Sequence, residues 1–216
     1  MSIPRGFSPD VILGTRGTWQ ALKFTALVCA ILCWPHPGYA QRLPAQAPGR
    51  GGWEFGAFVG GGSGLFAASN TQYFLAGVRI GRILTDNHLP GWFCGNFEYA
   101  GDFEPLFEVF QPGQSVYGGS FLPVILKWNF TRNPRIVPYL MLAGGGIATS
   151  SNIPPGNTST FNFTADGSIG TYIFLRQGRA ITLETHWMHI SNADLGTQNP
   201  QLVANFFFTI GYTWFK

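Results

Sequence analysis

The chain has 216 residues, of which 45% are apolar, 16% aromatic and only 11% charged, with 29 glycines, 15 prolines and a formal net charge of +3. Soluble domains carry about 25% charged residues, so a well-hydrated surface is hard to build here, and the aromatic content argues equally against disorder. The longest apolar run, residues 24–34, is shorter than the roughly 20 residues a membrane-spanning helix needs, which leaves a glycine- and aromatic-rich β protein.

At the N-terminus, Arg16 and Lys23 precede the apolar segment FTALVCAILCW, and PHPGYA follows it. A basic stretch, a short apolar core and small residues at Gly38 and Ala40 read as a secretory signal peptide over residues 1–40, cut after Ala40. Cys29 and Cys33 leave with it, so Cys94 remains alone. Arg5, Arg16, Lys23 and Asp10 leave as well, and the 13 basic and 10 acidic residues of the full chain fall to a net charge of +1. Nucleic-acid binding has no electrostatic basis at that charge. Residues 41–52, QRLPAQAPGRGG, form a Pro/Gly-rich flexible lead-in, and residues 53–216 form one β domain.

Eight segments of that domain have strand character, beginning near Trp53, Thr71, Trp92, Gly119, Arg135, Thr160, Arg179 and Val203. Most are about ten residues or longer, the length a tilted strand needs to cross a bilayer. In the first, Trp53, Phe55, Ala57 and Val59 alternate with Glu54, Gly56 and Gly60. In the second, Phe74, Ala76, Val78 and Ile80 oppose Tyr73, Gly77, Arg79 and Gly81. In the last, Phe206, Phe208, Ile210, Tyr212 and Trp214 share a face opposite Asn205, Thr209, Gly211 and Thr213, with Phe207 the exception. A bulky apolar row against a polar or small row predicts an all-β, eight-stranded antiparallel transmembrane barrel, apolar row toward lipid. A soluble lipocalin-like carrier would reverse the rows.

With the N-terminus on the periplasmic side, the inner turns fall at 85–91, 131–135 and 176–179. The outer loops fall at 62–70, 103–118, 148–159 and 192–202. Parity turns Glu54, Arg79, Lys127 and Glu184 inward, where a narrow barrel packs them as a polar network rather than a pore lining. The glycine runs 60–62 and 144–146 read as barrel bends. His186 and His189 sit at odd spacing, hence on opposite faces, and share no metal; no metal site or cofactor is expected. His88 reads as a solvated turn residue and Cys94 as an inert small residue.

The seventh strand, Ile181–Ser191, carries the chemistry. Period two groups Leu183, Thr185, Trp187, His189 and Ser191 on the lipid-facing row, so an imidazole and a hydroxyl stand about 6.5–7 Å apart near the outer end. A histidine that can take a serine proton is the minimum equipment for acyl transfer, and Asn192 next door is a candidate oxyanion donor. On spacing alone, polar residues at a strand end near an interface are common.

The run His189-Ile-Ser191-Asn192-Ala193-Asp194-Leu195, followed by Gln198-Asn199-Pro200 and an aromatic-rich last strand, resembles the lipid A 3-O-deacylase (PagL-like) family of eight-stranded outer-membrane barrels. The ending TIGYTWFK also resembles the C-terminal signal of such barrels, though it closes on Lys216. The resemblance implies His189 as general base, Ser191 as nucleophile and Asn192 as oxyanion contributor. The family pattern has a glutamate about fourteen residues after the histidine, where this chain has Val203; Asp194 and Asn205 are the nearest polar candidates for the orienting third member, and Glu184 points inward.

The sequence therefore supports a carboxylic ester hydrolase of the Gram-negative outer membrane, exported by a cleaved leader. It would remove an ester-linked acyl chain from lipid A of the outer-leaflet lipopolysaccharide, at the 3-position if the resemblance holds. The competing reading is a non-catalytic small barrel with a structural or adhesion role. A homodimer stays open beside a monomer.

Overall fold

The computed structural model describes residues 49–65, 70–199 and 202–216; the expected leader and most of the lead-in lie outside them. Eight strands follow one another: β1 (Trp53–Gly64), β2 (Gln72–Ile83), β3 (Gly95–Gln111), β4 (Gln114–Phe130), β5 (Ile136–Ile153), β6 (Ser159–Arg176), β7 (Arg179–Ser191) and β8 (Leu202–Phe215). Each pairs antiparallel with its neighbours, and β1 pairs with β8 from Glu54 opposite Phe215 to Gly64 opposite Asn205, closing the barrel. Closure leaves no unpaired edge, which is what lets a sheet lie in lipid. The strands of 12 to 18 residues exceed the about 9–11 that a tilted strand needs to cross the hydrocarbon core, so they project beyond it.

The alternation expected from the sequence holds on β1, β2, β7 and β8. Arg79, Glu54, Lys127 and Glu184 are buried in the lumen, whereas Leu142, Ile169 and Ile210 are 66%, 65% and 53% exposed on the outer wall. Leaving a Leu or Ile in water forfeits about 1.5–3 kcal/mol each, a cost that vanishes when the wall faces lipid.

The barrel interior is layered. Toward the end remote from the termini, Tyr73, Leu75, Phe107, Val109, Met188 and Phe207 form one apolar cluster. Toward the termini, Tyr139, Tyr172, Phe174, Ala180 and Phe215 belong to another. Ions lie between them. Arg79 forks onto Asp102 (Nε–Oδ1 and Nη2–Oδ2, both 2.8 Å) and also donates to Glu184. Lys127 pairs with Glu54 at 2.7 Å and donates to the Tyr172 hydroxyl. Tyr139 and Thr209 donate to Glu184 (2.5 and 2.9 Å), and His186 Nδ1 meets Asp166 at 2.7 Å. The lumen is thus a filled core in which Arg79, Lys127 and His186 are each set against carboxylates, as expected of a narrow barrel, although the buried carboxylates, Glu98 and Glu104 among them, outnumber these cations.

Two expectations are corrected. The segment 103–118 is not a long loop: β3 and β4 run on to a tight turn at Pro112–Gly113, with Gly113 at φ 86°. Inward Phe107, Val109 and Val116, all fully buried, carry the alternation past Pro105. That proline lies where the register shifts between Glu104 and Phe107, a bulge position that needs no ladder N–H. Likewise β5 and β6 extend into 148–159, leaving residues 154–158 as the connection. The glycine runs mark close strand approach: a Cβ on Gly62 would meet the Phe206 carbonyl, and one on Gly145 the Phe121 carbonyl.

Candidate active site on the outer wall

Strand β7 alternates without interruption: Ala180, Thr182, Glu184, His186, Met188 and Ile190 are buried, while Trp187 is exposed and His189 and Ser191 are half-buried on the outside. His189 and Ser191 therefore share the lipid-facing wall at the end of β7 remote from the termini. In register beside them stand Ala165 and Phe163 of β6. His186, three residues away in sequence, lies on the opposite face and is held inside by Asp166, so the two histidines face opposite sides as their spacing requires.

The Ser191 hydroxyl is organised by the loop that follows it. Its Oγ accepts from the Ala193 backbone N–H and from Asn199 Nδ2, both at 3.2 Å, and donates to Asn199 Oδ1 at 3.3 Å. Asn199 Nδ2 also donates to Asp194 Oδ1 at 3.2 Å. Ala193 and Asp194 both take left-handed backbone, at φ 50° and 63°. Such conformations are uncommon outside glycine and gather at functional loops. This hairpin turns the chain back over the serine and aims two N–H donors at its oxygen. Asn199 was not legible as a site residue from periodicity, because loops have none; the only signal was its place in the Gln198-Asn199-Pro200 run.

Other expected residues stand elsewhere. Asn192 continues the inward row after Ile190 and is buried; its Nδ2 donates to the Gln198 carbonyl at 2.9 Å and its Oδ1 accepts from Asp194 N at 3.0 Å. Its side-chain amide thus braces the hairpin from within rather than facing the wall. Asn205 is also inside, accepting from the Tyr73 hydroxyl at 2.6 Å and donating to the Met188 carbonyl at 3.1 Å, so it lies across the barrel wall from the imidazole. Asp194 reaches Asn199, not His189. Among the described residues no hydrogen bond reaches either ring nitrogen of His189. In register, Met188 faces Asn205 and Ile190 faces Leu202, so positions 203 and 204 bracket His189 across a bulge. Val203, fourteen residues after His189, is one of these two positions.

A closed eight-stranded antiparallel barrel with an apolar outer wall and a filled interior is the architecture of an outer-membrane β-barrel. The model of the lipid A 3-O-deacylase (PagL) family matches residues 72–202, and the chain belongs to that family. None of the curated proteins matches it. Among solved structures it is similar to the N-terminal β-barrel domain of Pseudomonas aeruginosa OprF, with TM-score 0.52 and 14% identity over 78% of this chain and 100% of that one. The outer membrane enzyme PagL gives TM-score 0.48 at 16% identity over 74% and 98%. OprG of Pseudomonas aeruginosa gives 0.47 at 13% over 81% and 99%. The first of these likenesses shows the barrel fold.

Proposed function

We propose that the protein is a serine ester hydrolase that removes an ester-linked acyl chain from lipid A, at the 3-position of the disaccharide, by a Ser191–His189 mechanism. Family membership supports the substrate class. The observation that carries the mechanism is the placing of His189 and Ser191 side by side on the outer wall, where a lipid arrives laterally from the bilayer and never enters the filled lumen.

The reaction follows from the groups present. His189 takes the proton of Ser191 Oγ as the oxygen attacks the acyl carbonyl. Negative charge then develops on the carbonyl oxygen; the Ala193 N–H and the Asn199 amide, which donate to Oγ in the free protein, transfer to that oxygen as the oxyanion donors. Collapse breaks the ester C–O bond, and the imidazolium returns its proton to the leaving sugar hydroxyl. Water, deprotonated by the same imidazole, then hydrolyses the acyl-serine. Rotation about its side-chain torsions brings His189 to Ser191 when substrate docks, a tightening common between free and occupied sites. Asp194 acts through Asn199, fixing the amide that faces the serine.

That no hydrogen bond reaches His189 among the described residues favours a second reading, a barrel that has kept the wall but serves as a structural or adhesion element. Mass spectrometry of lipid A separates the two. Cells carrying the protein are expected to lose one ester-linked hydroxyacyl chain, and cells carrying Ser191→Ala at equal membrane abundance to keep it. Identical lipid profiles for both would leave the non-catalytic reading.

A further inference from the structure

The charges that the catalytic account does not use are sorted by height along the barrel. Arg50, Arg82, Arg132, Arg135, Arg176 and Arg179 stand at the end that carries the termini, on the lead-in, on β2 and on the β4–β5 and β6–β7 turns. All are exposed except half-buried Arg179. Among the described residues Asp86 is the one exposed side-chain carboxylate at that end, 4.0 Å from Arg50. At the site end the charged side chains that are not buried, among the described residues, are Glu108 and Asp194, both acidic.

The same end carries the aromatic residues that suit a membrane interface. Trp92 and Phe93 are 78% and 67% exposed on the β2–β3 connection, and Trp53 is 41% exposed at the start of β1. Two of the arginines rest on them: the Arg132 guanidinium lies 4.0 Å from the Trp92 ring centre and that of Arg82 lies 5.0 Å from Trp53. Indole rings settle at the headgroup level of a bilayer, and a stacked guanidinium is held with its fork free for a planar two-point contact with phosphate.

The heights fit a single bilayer. Strand β7 runs 13 residues from Arg179 to Ser191, about 40 Å along the strand. At a tilt of roughly 40° that rises about 30 Å, the thickness of the hydrocarbon core. With Ser191 at one interface, the arginines are at the other.

We infer that this arginine–tryptophan ring is a binding surface for the phosphate groups of anionic phospholipids in the monolayer opposite the site, fixing the depth of the barrel and selecting its neighbouring lipids. The charge complementarity and the interfacial indoles favour a lipid over a soluble anion, which has no use for exposed Trp92 and Phe93.

The test is lipid selectivity of the protein reconstituted in bilayers, read by electron spin resonance of spin-labelled phosphatidylglycerol and phosphatidylcholine. The wild type is expected to favour phosphatidylglycerol roughly fivefold in relative association. The triple variant R132Q/R135Q/R176Q, confined to exposed residues of one turn and the end of β6, is expected to lose the preference, and R132K/R135K/R176K to keep most of it. Equal association of the two lipids with the wild type, or a preference that survives the glutamine variant, would overturn the assignment. Retention of the protein on isolated peptidoglycan together with equal lipid association would overturn it too, giving the ring to a polymeric anion.

Discussion

A carboxylate placed opposite His189 should speed the enzyme. The register of β7 and β8, with Met188 facing Asn205 and Ile190 facing Leu202, sets positions 203 and 204 across the bulge from His189, and directly opposed residues have Cβ atoms about 4.5–5.5 Å apart. A glutamate spans that gap. An imidazole lacking its acid partner loses about four orders of magnitude in rate, because nothing fixes its tautomer or offsets the charge it gains. A partial recovery of about 10- to 100-fold in kcat is expected for Val203→Glu, equivalent to about 1.4–2.7 kcal/mol. Ala204→Glu is the parallel variant, covering the other residue of the bulge. The assay is release of hydroxyacyl chain from purified lipid A by detergent-solubilised protein, with heat-modifiable gel mobility as the check on folding. If both variants fold and neither exceeds the wild-type rate, the imidazole is not limited by its missing partner and the reasoning fails.

Three further outcomes follow from the geometry. Asn199→Ala removes a donor from the serine oxygen and should lower kcat about 10²–10³-fold with little change in KM; an unchanged kcat in steady-state assays would exclude Asn199 from the oxyanion site. Glu184→Ala strips partners from Arg79, Tyr139, His186 and Thr209 in the lumen. It should cost about 3–5 kcal/mol in equilibrium urea unfolding, and a loss below about 1 kcal/mol would show that the ionic layer is not a unit. Gly145→Val drives a Cβ into the Phe121 carbonyl, so the folded fraction recovered in membranes should fall sharply, whereas Gly144→Val, with open space on the wall, should fold like the wild type.

Much of the molecule was legible in the sequence because one row of each strand faces lipid and the other a narrow lumen. That double constraint makes the alternation of Ile181–Ser191 and of Phe206–Trp214 unambiguous, and with it the shared face of His189 and Ser191. The extension of β3 and β4 was hidden by Pro105 and Pro112-Gly113, which read as loop residues although one occupies a bulge and the others a tight turn. Asn192 shows the reverse lesson. Its place next to Ser191, and then the resemblance, made it an oxyanion candidate, whereas period two sends it inward after Ile190, where its amide braces the hairpin. Asn205 likewise follows its own parity into the lumen. Asn199 could not be reached by parity at all, since only the path of the hairpin, with Ala193 and Asp194 in left-handed conformation, brings it back over the serine.

The central claim, that the Ser191 oxygen on the outer wall is the nucleophile, is tested most directly by a lipid-like fluorophosphonate that captures activated serines. Peptide mass spectrometry of the treated, folded protein is expected to find the phosphonyl adduct on Ser191, with lipid A deacylation lost in proportion and no adduct in His189→Ala. Deacylation that continues after treatment, or that stops while the adduct sits on another residue, would contradict the account.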